Sequence, residues 1–329
     1  MTQRDVVVIA ASRGAIPVLK TLVSVLPAQL PAAICMVLHI GRHPSILPQL
    51  LSAWGRLPAR HPEDGEALKP GQIYVAPPDR HMVLRRGALR LLDTATENFA
   101  RPAADPLFRS AALEYGSRVV GVVLSGDLDD GAAGLAAVRA RAGYCVVQDP
   151  DDCEAPSMPR TAASAAQPDV VAKVQELAEV IQAAIKGAKR REEVKVTTRT
   201  DLDDEARIAD KGIAEPYELD KIAERSALTC PDCSGALWRL HDERPVRYRC
   251  HTGHAFSSLS LEEGSAKSTE NAIWAAIRAV HERIIFARER QHWAQRAGSA
   301  DEIAREQTRI DENERLADLL RTALRTPLP

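Results

Sequence analysis

A doubly wound α/β fold with a mostly parallel sheet is predicted for the first half of this sequence. A small zinc ribbon and a C-terminal helical hairpin are predicted to follow it. Three observations lead there. Short, continuous apolar runs alternate with helix-spaced segments over residues 1–186, and strands covered on both faces need no polar alternation. Aromatic residues are only 4% of the 329, so the core must be built from Val, Ile, Leu and Ala, the residues that fill such sheets. Three of the six cysteines, Cys230, Cys233 and Cys250, gather near histidines in the second half, which marks a module of different construction.

In order, residues 6–10 read as the first strand, Ser12, Arg13 and Gly14 as a tight turn, and residues 15–22 as a helix. Residues 33–39 form the second strand and residues 46–54 a helix. Residues 72–76 are the third strand, and 81–84 with 88–91 flank Arg86–Gly87 as a hairpin. A helix over 106–115 leads to strands at 119–124 and 144–148. Residues 170–185 place Val170, Val174, Leu177 and Ile181 on one face, a helix that closes the domain. Residues 187–226 are charged, with few large apolar side chains, and read as a solvated linker. The ribbon is placed at 227–260 and the hairpin at 261–329. Within the hairpin, residues 268–324 are helical with a break at Gly298–Ser299, and Ile273, Ile277, Val280 and Ile284 form its seam.

Formal net charge is −2, which gives no bulk attraction to nucleic acid or to an anionic membrane. No run approaches the ~20 apolar residues that span a bilayer. The first apolar run is too short and too early for a signal peptide, and Arg4 and Asp5 precede it. A cytoplasmic location is expected, without membrane insertion. Dispersed Cys35, Cys145 and Cys153 read as small buried hydrophobes. In a reducing compartment the clustered thiols point to metal rather than disulfides.

Ligands of an open parallel sheet collect beyond the carboxyl ends of its strands. Ser12 follows the first strand, His39 ends the second, and Asp127, Asp129 and Asp130 follow the strand VVGVVLSG. A serine, a histidine and an aspartate gathered at one edge are what a serine hydrolase needs: a nucleophile, its base, and a carboxylate that holds the imidazole in one tautomer. The turn also leaves the N–H groups of Arg13 and Gly14 at a helix start, suited to an oxyanion. A dinucleotide site fits worse, because one glycine follows the first strand and His39 stands where the ribose-binding acid belongs.

The blocks IAASRGAIPVL, VLHIGRHPSILPQLL, EDGEALKPGQIYVAPPDRHMVL, RPAADPLFRSAA, VVLSGDLDDGAAGLAAVRARAGYCVVQDP and MPRTA run in order over residues 5–165. Together they resemble the catalytic domain of the CheB-type chemotaxis protein-glutamate methylesterases. That resemblance implies hydrolysis of γ-glutamyl methyl esters on methylated chemoreceptors or receptor-like proteins, with release of methanol, and also deamidation of glutamine. It implies no cofactor for catalysis. The register against Gly131–Ala132 implies Ser12, His39 and Asp130 as the triad. Arg13, Ala15 and Asp127 depart from the family pattern, and they sustain an alternative reading, a non-catalytic adaptor on the esterase scaffold. A receiver domain is not expected ahead of the first strand, so the site would be constitutively open, or governed by a partner or by the C-terminal region.

CPDCSGALWRLHDERPVRYRCHTGHAF supplies Cys230-x2-Cys233 and a second knuckle with Cys250, His251 and His254. Four such ligands make a closed tetrahedral zinc site, structural rather than catalytic. His254 is preferred as the fourth ligand because the Cys-x3-His loop lets its ring turn inward; His251 and His241 are alternatives. Arg239, Arg244, Arg247 and Arg249 are balanced locally by Asp232, Asp242 and Glu243. The ribbon and helices are therefore expected to dock a protein partner rather than nucleic acid.

Overall fold

The computed structural model describes residues 3–39, 43–191, 200–241 and 245–325. In chain order it contains β1 (Val6–Ala11), α1 (Ala15–Val25), β2 (Ala33–Leu38), α2 (Leu47–Trp54), β3 (Ala59–Arg60), β4 (Ile73–Val75), β5 (His81–Arg85) and β6 (Ala88–Leu92). Then come α3 (Ala104–Tyr115), β7 (Val119–Val123), α4 (Ala132–Ala140), β8 (Tyr144–Gln148), α5 (Ser157–Ala166), β9 (Val170–Ala172) and α6 (Val174–Ile185). The remainder is α7 (Thr200–Lys211), α8 (Pro216–Leu219), β10 (Ala223–Thr229), β11 (Ala236–Leu240), β12 (Arg247–Cys250), β13 (Ala255–Ser257), α9 (Ser258–Ala297) and α10 (Ala300–Arg325). Two compact units result, Met1–Leu261 and Glu262–Pro329.

Seven parallel strands in the order β3-β4-β2-β1-β7-β8-β9 form the main sheet. Alternation along β1 serves both faces. Val7, Ile9 and Ala11 join Leu19, Leu22, Leu51, Leu177 and Ile181 from α1, α2 and α6. Val6, Val8 and Ala10 join Leu107, Phe108, Leu135, Val138 and Met158 from α3, α4 and α5. Each fully buried aliphatic side chain contributes roughly 1.5–3 kcal/mol, so the two-sided burial explains why the strands read as unbroken apolar runs. The chain winds from β1 to β2 on one side and returns to β7 on the other. The reversal opens a crevice at the carboxyl ends of β1, β2 and β7. In the β5–β6 hairpin, Arg86 and Gly87 both have positive φ, 51° and 76°, the backbone of a turn that matches strand twist.

Two segments differ from expectation. Residues 170–172 are a strand, not the first turn of the closing helix: Val170 pairs with Val146 and Ala172 with Gln148. Two adjacent β-branched residues met the open edge of β8 and extended the sheet. The helix begins at Val174, where the Lys173 N–H donates to the Glu176 carboxylate. The charged stretch 187–226 is not a solvated linker over its described part. It carries α7 and α8, and α7 buries Glu205, Ala206 and Ile208. The counter-charges of this stretch lie far away in sequence, so composition alone suggests solvation. Glu205 accepts from Nη1 and Nη2 of Arg247 at 2.7 and 2.8 Å, and Arg109 and Arg249 each lie 3.2 Å away.

β10 to β13 form an antiparallel four-stranded sheet inside the unit Met1–Leu261. Residues 96–98 run alongside β13: the Ala255 N–H donates to Thr96 O at 3.3 Å, and the Asn98 N–H donates to Ala255 O at 2.8 Å. In the unit Glu262–Pro329, α9 and α10 bury Val280, Ile284, Ala287, Ile310 and Ala317 against one another. α9 begins ten residues earlier than the sequence pattern indicated. No helix among the described residues is long and apolar enough to cross a membrane.

Candidate active site

Parallel register sets Ala11 opposite Leu38 and Ala10 opposite Val123. The ladder continues past the strand ends, with the His39 N–H donating to Ala11 O at 3.1 Å and the Ser12 N–H to Ser125 O at 2.9 Å. Ser12 and His39 therefore emerge side by side at the switch point. The loop after β7 brings Asp130 to His39, with Nε2 to Oδ2 at 2.7 Å. Asp130 is buried, and its oxygens also accept from the N–H groups of Ala104 (2.5 Å) and Asp105 (3.1 Å) and from Asn98 Nδ2 (3.3 Å). It thus caps the start of α3. Asp105 returns the favour, accepting from the Gly131 and Gly134 N–H groups at the start of α4, at 3.0 and 2.6 Å.

Two buried carboxylates so close cannot both ionise freely. Burial acts to raise the pKa of Asp130, but the hydrogen bond and charge of His39 and the two α3 amides outweigh it, and the net shift is downward. Asp105 moves the other way, pushed well above the ordinary carboxylate range by burial and by Asp130. The ionised member is the one facing the histidine.

The acids of the DLDD segment separate by partner. Asp130 meets His39, while Asp129 accepts from the Ser257 hydroxyl at 2.7 Å and is pushed up to about 6 by burial. Asp127 takes both arms of Arg13, Nε at 2.6 Å and Nη2 at 2.7 Å. The two departures flagged at Arg13 and Asp127 are therefore one exposed ion pair. The hydrogen bond from Arg13 holds the Asp127 carboxyl below its usual range, and the guanidinium is engaged on that carboxylate.

The Ser12 turn is held from below. Ser125, buried, donates its hydroxyl to Arg13 O at 2.8 Å and accepts the Ala155 N–H at 3.0 Å. Gly14 has φ 77°, and a Cβ there would lie 2.6 Å from Glu154 Cβ and 2.7 Å from Ser125 Oγ, so only glycine fits. Gly126 packs flat beneath the Met158 sulfur and Ser12 Cβ. Among the described residues, the Ser12 hydroxyl and the N–H groups of Arg13 and Gly14 take no protein partner.

Asn98, Asp105 and Ser125 are missing from the sequence reading of the site. Ser125 had a signal, a small hydroxyl at a strand's carboxyl end in LSGD. Asp105 had one too, an acid followed by Pro106 at a helix start. Asn98 carries none, since its partners other than Asp105 lie far along the chain, at Asp130, Ser257 and Ser260.

In the second half, one ligand atom each from Cys230, Cys233, Cys250 and His254 lie within 4.8 Å of one another. Cys233 Sγ to Cys250 Sγ is 3.7 Å; His254 Nδ1 lies 3.7 Å from Cys230 Sγ and 3.5 Å from Cys250 Sγ. Tetrahedral zinc with Zn–S near ~2.3 Å and Zn–N near ~2.05 Å requires edges of about 3.8 and about 3.6 Å, so the donor set fits that ion. Asp232 Oδ2 stands 3.8 Å from His254 Nε2, on the ring edge away from the thiols. His251 is exposed, with its ring beside Gly235, and His241 lies near Asp201; neither joins the cluster. Arg247 and Arg249 are buried, which removes them from any basic surface. Asp242, Glu243 and Arg244 lie outside the described residues.

A family model described as CheB methylesterase matches residues 7–181. A protein of Leptospira interrogans named putative protein-glutamate methylesterase/protein-glutamine glutaminase is 34% identical over 178 residues, covering 54% of this chain and 92% of that protein. Protein-glutamate methylesterase/protein-glutamine glutaminase 3 of Anaeromyxobacter dehalogenans is 42% identical over 170 residues, 50% of this chain and 49% of that one. The chain thus matches about half the length of the latter relative. Among solved structures, the Thermotoga maritima CheB methylesterase catalytic domain superposes with a TM-score of 0.52 at 29% identity, covering 57% of this chain and all of that one.

Proposed function

The chain belongs to the CheB methylesterase family, and from that membership we propose that it hydrolyses glutamyl methyl esters on a chemoreceptor or receptor-like protein through Ser12, His39 and Asp130. The observation that carries the residue assignment is the 2.7 Å bond from His39 to Asp130 beside Ser12 in the parallel register. Asp130 takes the Nε2–H, which leaves Nδ1 as the base. Ser12 Oγ gives its proton to Nδ1 and attacks the ester carbonyl. The N–H groups of Arg13 and Gly14 face the oxyanion that forms. On collapse the imidazolium returns the proton to the departing methoxide, and methanol leaves. Water, deprotonated by the same nitrogen, then cleaves the acyl-serine to release glutamate and free Ser12. With glutamine the leaving group is ammonia, in keeping with the double names of the relatives.

The Cys230, Cys233, Cys250 and His254 set reads as a structural zinc site, closed by four protein ligands and supplying fold rather than chemistry. A fluorophosphonate probe tests the nucleophile. Covalent label on the Ser12 peptide is expected from the intact protein and none from Ser12→Ala. Label elsewhere, or none in the intact protein, contradicts the assignment.

A further inference from the structure

Every hydrogen-bonding position of the Asn98 side chain is used. Oδ1 accepts from the Ser257 N–H at 2.9 Å and from the Ser260 hydroxyl at 2.8 Å. Nδ2 donates to Asp105 Oδ2 at 3.2 Å and to Asp130 Oδ1 at 3.3 Å. The orientation is forced, because a backbone N–H can only donate: the oxygen must face Ser257, so the amino group must face the two carboxylates. Asn98 is buried and sits at φ 51°, a left-handed conformation that asparagine tolerates better than most residues. Ser257 and Ser260 lie just past the Cys250–His254 knuckle, at the end of β13 and the start of α9. Ser257 pairs with Arg247 of β12, the strand that ends in Cys250.

We propose that Asn98 is a positioning residue for Asp130 and that the metal module sets it: Ser257 and Ser260 orient the Asn98 amide, which in turn holds the triad carboxylate. The reading rests on the triad assigned above. Physically, Asn98 and the Asp105 N–H hold Oδ1 together while the Ala104 N–H holds Oδ2, and a carboxylate that loses one of its two Oδ1 donors is held less firmly against rotation away from His39. The buried cluster of Glu97, Arg109, Glu205, Arg247 and Arg249 clamps β12 and α7 onto the same region, so the module cannot shift without disturbing residues 97–98. A metal module built on the second half of the chain becomes part of the support of an active site built on the first.

The experiment measures fluorophosphonate labelling of Ser12 across pH in the full chain, together with the downfield proton resonance of the His39–Asp130 hydrogen bond. Asn98→Asp keeps the size and the tolerance for positive φ but turns a donor into an acceptor facing two carboxylates. Ser260→Ala removes one donor on the module side and touches neither His39 nor Asp130. Thr96→Ala breaks a different contact between the same parts, Thr96 Oγ1 to Asp232 at 2.9 Å. Asn98→Asp is expected to slow labelling at least about tenfold, equivalent to about 1.4 kcal/mol, with a displaced pH profile and a shifted or lost resonance. Ser260→Ala is expected to do the same to a smaller degree, and Thr96→Ala to match the intact protein. Stripping the metal from the intact protein should slow labelling, and should add little to Asn98→Asp because both act through one chain of contacts. Metal content and circular dichroism show which variants are folded; should Asn98→Asp not fold, Ser260→Ala decides. Intact labelling that Ser260→Ala and metal removal leave within twofold overturns this inference alone. An intact protein that takes no label overturns the triad, and this inference with it.

Discussion

Replacing Asp130 with asparagine exchanges one oxygen for an amide nitrogen, yet neither orientation of the new side chain fits. With the amino group at the Oδ2 position it faces the Ala104 N–H and His39 Nε2, so His39 must move its proton to Nδ1 and ceases to be a base toward Ser12. With the amino group at the Oδ1 position it faces the Asp105 N–H and the Asn98 amino group. His39 then keeps its tautomer but loses the negative charge that stabilises the imidazolium. Each buried donor left unpaired costs about 1–3 kcal/mol. Part of this is offset, since removing the charge relieves Asp105, whose pKa Asp130 helps to push up. We expect a net destabilisation of about 1–2 kcal/mol, a fall in Tm of roughly 2–8 °C for a unit this large. Loss of the oriented, charge-stabilised base is expected to lower kcat about 10³- to 10⁴-fold. Methanol release from a methylated receptor peptide, measured with the folded fraction at the assay temperature, separates the two effects. A kcat within tenfold of the intact protein, or a loss that merely tracks unfolding, would refute the role given to Asp130.

Glu205→Ala removes the carboxylate that the buried Arg109, Arg247 and Arg249 share. Breaking such a cluster from one side is expected to cost about 3–5 kcal/mol, read by thermal unfolding, and a loss under about 1 kcal/mol contradicts the clamp. Acid should act on the same cluster. Burial alone would raise the pKa of Glu97, but Arg109 and Arg249 hold it down at about 2. With the folded value below the unfolded one, its contribution is present above pH 4.5 and is lost as pH falls toward about 2. The urea midpoint of the unit should drop over that window; a midpoint constant from pH 5 to 2.5 speaks against it. Cys230→Ser should lower bound zinc from one equivalent to well below one in a metal assay of the purified protein, and unchanged stoichiometry counts against the four-ligand site.

The α/β half was readable because its determinants are local. Two-sided burial turns Val6–Ala11 and Val119–Val123 into unbroken apolar runs, and the strand ends carry Ser12, His39 and the acids with them. Spacing alone could not choose among Asp127, Asp129 and Asp130. Only the family blocks ranked them, and the separate partners of the three in the fold give that ranking a physical basis. What escaped the sequence depends on distant partners. Glu205 reads as a solvated charge until three arginines from two other segments meet it, and Asn98 is one polar residue among many until Ser257, Ser260, Asp105 and Asp130 converge on it. Val170 and Val171 suit a helix face and a strand equally, and an open sheet edge decided the matter.

The role of Ser12 as nucleophile is decided by methanol release from a glutamyl-methylated receptor peptide, measured for the intact chain and for Ser12→Ala. Steady turnover is expected from the intact protein. The alanine variant is expected to lose at least about a thousandfold, with the melting curve and metal content unchanged because among the described residues the Ser12 hydroxyl takes no protein partner. Comparable turnover by both proteins, or none by an intact, metal-loaded chain on any glutamyl ester or amide offered, would contradict that role.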